Sequence, residues 1–113
     1  MYVFKIRKLR KSKGYSLNKL HNLSGVSKSY LSDLENNITF NPSMFILGKI
    51  AEALNVDIKE LFYSFNDIAS LKEEMYDKID KFGINSKEVL EISQIIDLLI
   101  NLKMRDFENK QKS

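Results

Sequence analysis

A chain of 113 residues without a cysteine has the length of one compact domain or two small ones, and it has neither disulfides nor thiolate metal ligands. His21 is its only histidine, which excludes the multi-histidine metal sites, so neither a metal nor a cofactor is expected. Net charge is +3 but uneven. Residues 1–40 carry eight Lys/Arg against two Asp/Glu, a balance of +6, and residues 41–113 carry ten against thirteen, a balance of −3, so the basic end points to a polyanion partner.

Taken in chain order, the sequence reads as helix after helix. Val3, Ile6, Leu9 and Arg10 recur at helical spacing, and Gly14 stops this first helix. Ser16 is the N-cap of a second helix with Leu17, Leu20 and Leu23 apolar, and Ser24-Gly25 breaks it. Ser27 caps a third helix running to Asn36. Asn36 through Pro42 reads as a loop, and Ser43 caps a fourth helix with Phe45, Ile46, Ile50 and Leu54 on one side. Met44 and Phe45 read as core and lid. Asp57 caps a short fifth helix, IKELFY.

Residues 66–70 read as a linker between a domain at 1–65 and a helical hairpin at 71–109. The hairpin's first helix has Leu71, Met75, Ile79 and Phe82 on one face and ends at Gly83. Ser86 caps the second, whose stripe of Val89, Ile92, Ile96 and Leu99 covers its mate. Ile95, Leu98 and Leu102 flank that stripe and need another cover, the mark of a protein interface. No sustained strand alternation occurs, so the fold class is all-α: five short helices followed by an αα-hairpin. The charged start, MYVFKIRKLRKSKGYS, is unlike a secretory leader, and IIDLLINL is too short to span a bilayer. A cytoplasmic protein without a membrane partner is expected.

The stretch SLNKLHNLSGVSKSYLSDLE, residues 16–35, carries the functional signal. Two helices meet at a tight turn containing Gly25, which supplies left-handed backbone. Leu20 and Val26 anchor the corner and Leu31 and Leu34 bury the second helix, leaving Lys28, Ser29, Ser32, Asp33 and Asn36 outward. Helix-turn-helix proteins place such a helix in the major groove of double-stranded DNA. The acidic cluster Glu73, Glu74, Asp77 and Asp80 reads as a solvated face. No phosphate loop, nucleophile–base pairing or metal constellation is evident, so an enzyme is not expected.

On these residues, with LRKSKGYS, NPS and KIAEALNVDIKELF around them, the chain resembles the Cro and phage-repressor (XRE) class. Its full layout resembles SinR-type bacterial repressors, in which such a domain precedes a hairpin that multimerises and is the target of an antagonist protein. The resemblance implies a partly buried ion pair between Arg10 and Glu35. It places Ser16 and Leu17 at a helix start facing phosphate and Lys28, Ser29 and Asp33, with Ser32 beside them, at the bases; Ser27 counts among the DNA-binding residues, and Tyr30 either touches phosphate or sugar or packs against the second helix. Asn36, Asn37 and Ser43 are placed on the phosphates around the loop. Two positions depart from the class: His21 replaces a small alanine, and Asn36 replaces an arginine.

The implied function is a sequence-specific DNA-binding transcriptional regulator, a repressor, assembled as a homo-oligomer through Leu71, Met75, Ile79, Val89, Ile92, Ile95, Ile96, Leu98, Leu99 and Leu102. The rival readings are an antagonist that captures a related repressor through the hairpin, and an antitoxin. An RNA reader would need an aromatic platform that the sequence lacks.

Overall fold

The structure is a computed structural model that describes residues 3–37 and 42–112, with side chains through Arg105. Its order is α1 (Ile6–Ser12), α2 (Leu17–Ser24), α3 (Lys28–Glu35), α4 (Met44–Leu54), a 3-10 turn (Ile58–Leu61), α5 (Asp67–Phe82) and α6 (Lys87–Lys112). These fall into two compact units, Met1–Tyr63 and Ser64–Ser113. Residues 38–41, the middle of the expected loop, lie outside the described residues.

Serine starts most of the helices, because its hydroxyl satisfies an amide that a helix's first turn leaves unpaired. Ser16 accepts from the N–H of Lys19, Ser27 from Tyr30, Ser43 from Ile46 and Ser86 from Val89, at 3.0–3.3 Å. In the N-terminal unit Ile6, Leu20, Leu31, Leu34, Ile50, Leu54 and Leu61 are fully buried in one cluster with Phe4, Val26, Leu47 and Ala51. That cluster fastens α2 and α3 by their inner faces and so decides which faces remain outside.

Several expectations for this unit are corrected. Val3 belongs to an extended arm, not to the first helix: its carbonyl accepts from the Tyr63 N–H at 2.9 Å, and Phe4 bridges antiparallel to Phe62. The expected fifth helix shrinks to the 3-10 turn for the same reason. Phe62 and Tyr63, strand-favouring residues, pair with Val3 and Phe4, and the Phe4 and Phe62 rings lie 5.4 Å apart. On α4 the buried stripe is Leu47, Ile50, Ala51 and Leu54. Phe45 lies about 200° around the helix from Leu47. It is therefore 72% exposed under the Lys49 ammonium, and Met44 is 65% exposed, so neither is core. Leu23 is likewise exposed, while Leu17 and Tyr30 pack partly against the cluster.

In the C-terminal unit the expected linker 66–70 is largely helix, since α5 begins at Asp67. The Asp67 carboxylate accepts from the Ser64 N–H at 2.7 Å and the Ser64 hydroxyl at 3.3 Å, and an acid suits a first helical turn. Gly83 (φ +87°) ends α5. Leu71, Val89, Ile92, Ile96 and Leu99 are buried in the single chain. Met75, Ile79, Ile95, Leu98 and Leu102 are half-buried, and Tyr76, Phe82, Ile84, Leu90 and Met104 are exposed. Among the described residues no helix is long and apolar enough to cross a membrane.

Candidate nucleic-acid interface

The turn between α2 and α3 is held at four points. Gly25 caps α2 at φ +74°, a left-handed geometry that costs a residue with a Cβ, and its N–H bonds to the His21 carbonyl at 2.9 Å. The half-buried His21 Nδ1 lies 2.7 Å from the Val26 carbonyl and, as donor, ties α2 to the residue beyond the turn. Ser24, itself buried, accepts from the Val26 N–H at 3.1 Å. Ser27 then caps α3. The histidine that departs from the expected alanine is thus a clasp of the turn.

With Leu31 and Leu34 fully buried, α3 turns its other side outward. Lys28 and Ser29 are exposed at its start, Ser32 and Asp33 are half-exposed, and Asn36 is exposed at its end. Ser29, Ser32 and Asn36 recur at helical spacing, so they form one stripe. Ser16 and Ser27 accept from amides through Oγ, which leaves each hydroxyl hydrogen for an external acceptor. These caps and the α3 stripe are the expected site residues that the fold joins through one turn. Ser43 is exposed and caps α4 separately. Asn37 serves the fold: at φ +58° it closes α3, and its Oδ1 accepts from the Phe4 N–H at 3.2 Å.

The Arg10–Glu35 pair is present and is larger than expected. Glu35, its side chain only 3% exposed, accepts from Arg10 Nε at 2.8 Å and Nη2 at 3.0 Å, and from Arg7 Nε at 3.2 Å. Arg10 also donates from Nη1 to the Tyr15 carbonyl at 2.8 Å. The hydrogen bond to Glu35 pushes the Arg10 pKa up, against its own desolvation. Arg7 reaches further, donating from Nη2 to Asn36 Oδ1 at 2.7 Å. Sequence reasoning missed Arg7. The available signal was the Arg7–Arg10 spacing, which puts two guanidinium groups on one face of α1.

This surface suits a duplex. It presents hydroxyls and a lysine at helix starts, a short polar helix face, and beneath it an ion-pair cluster in which two arginines share one carboxylate. The open hollow lined by Ala51, Glu52, Asn55, Val56, Asp57 and Glu60 carries carboxylates, the wrong sign for phosphate. Among the described residues no group of three or more His, Cys, Asp or Glu is placed to hold a metal ion.

Comparison with known proteins bears on both units. Residues 6–61 match the family described as helix-turn-helix. Residues 65–105 match a different family, described as Spo0E-like sporulation regulatory protein. The chain is 46% identical over 74 residues to the HTH-type transcriptional regulator SlrR of Bacillus subtilis (strain 168), covering 66% of this chain and 44% of that protein. It is also 46% identical over 57 residues to the HTH-type transcriptional regulators SinR of Bacillus subtilis (strain 168) and Bacillus licheniformis, covering 50% of this chain and 51% of each. The chain thus spans about half the length of the curated relatives it matches. No solved structure gives a significant match.

Proposed function

We propose that the chain, whose residues 6–61 match the helix-turn-helix family, is an XRE-type, sequence-specific DNA-binding transcriptional regulator, acting as a repressor in the cytoplasm. The observation that carries this reading is the outward stripe of α3, held by the Gly25 turn and the Glu35 cluster. Basic residues near α1–α3 attract the duplex, Ser16, Ser27 and Ser43 position it, and Lys28, Ser29, Ser32 and Asp33 meet base edges. Lys28 suits guanine O6/N7, and Asp33 suits the cytosine amino group. All of this is binding and needs no catalytic step.

Such a helix with small reading side chains binds weakly alone, and pairing two of them multiplies affinity. The half-buried Ile95, Leu98 and Leu102 and the exposed Leu90 and Met104 support self-association through the hairpin. Selection of random duplex DNA by the full-length protein at physiological salt, followed by sequencing, tests the reading. A repeated half-site is expected, and a pool that stays random sinks it.

The match of the hairpin to a family other than that of the first unit favours a second reading of that unit alone. There it captures a separate regulatory protein as an antagonist's target, and light scattering of the pure chain at micromolar concentration would show a monomer.

A further inference from the structure

Asn36 stands at the end of the proposed reading helix, and three hydrogen bonds decide what it does. Arg7 Nη2 donates to Asn36 Oδ1 at 2.7 Å. Asn36 Nδ2 donates to the Ser32 carbonyl at 2.9 Å and lies 3.4 Å from Ser32 Oγ. A guanidinium has no acceptor, so only the oxygen end of the Asn36 amide can face Arg7. The orientation of that amide is thereby fixed by chemistry. Its NH2 end, which only donates, must then face Ser32.

The consequence falls on the Ser32 hydroxyl. A serine hydroxyl ordinarily donates or accepts, and so reads either kind of base edge. Here a donor-only group stands against one side of Oγ, so the hydroxyl hydrogen turns away from it. Among the described residues no acceptor takes that hydrogen. Ser32 lies on the outward stripe of α3, half-exposed. We propose that Arg7 and Asn36 are positioning residues that favour donation by Ser32 into the major groove: the Asn36 amide takes one Oγ lone pair and polarises the O–H, so that Ser32 prefers a base edge presenting an acceptor (guanine O6 or N7, adenine N7, or thymine O4) over one presenting an amino group to its remaining lone pair. This inference rests on the DNA-reading function proposed above and adds to it which edge one side chain reads and what sets that choice.

The test is random-duplex selection with the full-length protein and three variants, Ser32→Ala, Asn36→Ala and Asn36→Asp. The wild-type motif establishes the reading, and a random wild-type pool overturns that reading and this inference with it. Given a motif, Ser32→Ala identifies the base pair that Ser32 contacts, where the preference for an acceptor edge falls about fivefold, the scale of one net hydrogen bond. Asn36→Ala relaxes the same base pair and no other, and adds little to Ser32→Ala in the double variant. Asn36→Asp places an acceptor beside Oγ, draws the hydroxyl hydrogen inward, and moves the preference at that base pair toward edges presenting an amino group. If Ser32→Ala alters no position, or if both Asn36 variants keep the wild-type preference or weaken all sequences equally, the inference fails while the DNA-reading function stands. Asn36 is exposed, so thermal unfolding of its variants should match wild type and separate specificity from folding.

Discussion

Replacing Glu35 by Gln removes one negative charge and leaves two guanidinium groups facing a neutral amide. Glu35 is nearly dry, with 3% of its side chain exposed, while Arg10 keeps 13% and Arg7 31%. Removing one partner of a fully buried pair costs about 3–5 kcal/mol. Arg7 is open enough for water to solvate it, so the loss is discounted to about 2–4 kcal/mol. A 63-residue unit has a total stability of only about 3–9 kcal/mol, so the substitution brings it to the edge of unfolding. Urea denaturation of the full chain, followed by circular dichroism, should show the loss as a lower midpoint. Arg10→Met combined with Glu35→Met should restore most of it, because the harm lies in the stranded charge and not in the absent pair. A Glu35→Gln stability within about 0.5 kcal/mol of wild type would overturn this, since an exposed pair costs that little. So would a double variant that loses the sum of the two single effects.

Four further outcomes are expected. Lys28→Ala should weaken specific DNA binding by about 1–3 kcal/mol and relax one position of the motif, read by anisotropy titration against wild-type and altered duplexes. Gly25→Ala should cost about 1 kcal/mol in thermal unfolding: no atom lies within 4 Å of the added Cβ, so the φ of +74° is the only penalty. Leu31→Ala should cost about 2–5 kcal/mol and reduce DNA binding only through the folded fraction, which denaturation and titration together separate. Arg10 raises no pH dependence in any working range. Its folded pKa is raised above the ordinary arginine value, so its contribution is complete below that ordinary value and is lost only as pH climbs through the raised one. A stability profile that falls between pH 8 and 10 in wild type but not in Arg10→Met would contradict this.

The site is more legible in the sequence than the edges of the fold. Serine caps, the Gly25 break and the Leu20, Leu31 and Leu34 burial pattern are local signals, and together they determine which side of α3 faces out. Arg10 and Glu35 are legible only through the resemblance, because nothing local links residues so far apart. Arg7 is hidden for the same reason, as is the His21 clasp, whose partner is a backbone carbonyl. At the margins tertiary pairing overrides helical spacing: Val3 and Phe4 leave the first helix to pair with Phe62 and Tyr63. Phe45 is an apolar residue near an apolar stripe, which invites its assignment to the core, although its angle puts it outside. Asn66, Asp67 and Ser70 have the look of loop residues, whereas Asp67 is a helix-starting acid.

If the outer side of α3 and the capped starts of α2 and α3 form the surface that meets DNA, bound duplex must perturb those residues first. Titration of the selected duplex into the nitrogen-15-labelled full chain, followed by amide chemical shifts, reads this residue by residue. The largest shifts are expected at Ser16, Leu17 and residues 27–33, with α5 and the buried stripe of α6 little changed. Shifts concentrated on the exposed start of α4 around Met44 and Phe45, or on the hairpin, with α3 unmoved, would place the DNA elsewhere and contradict the proposed interface.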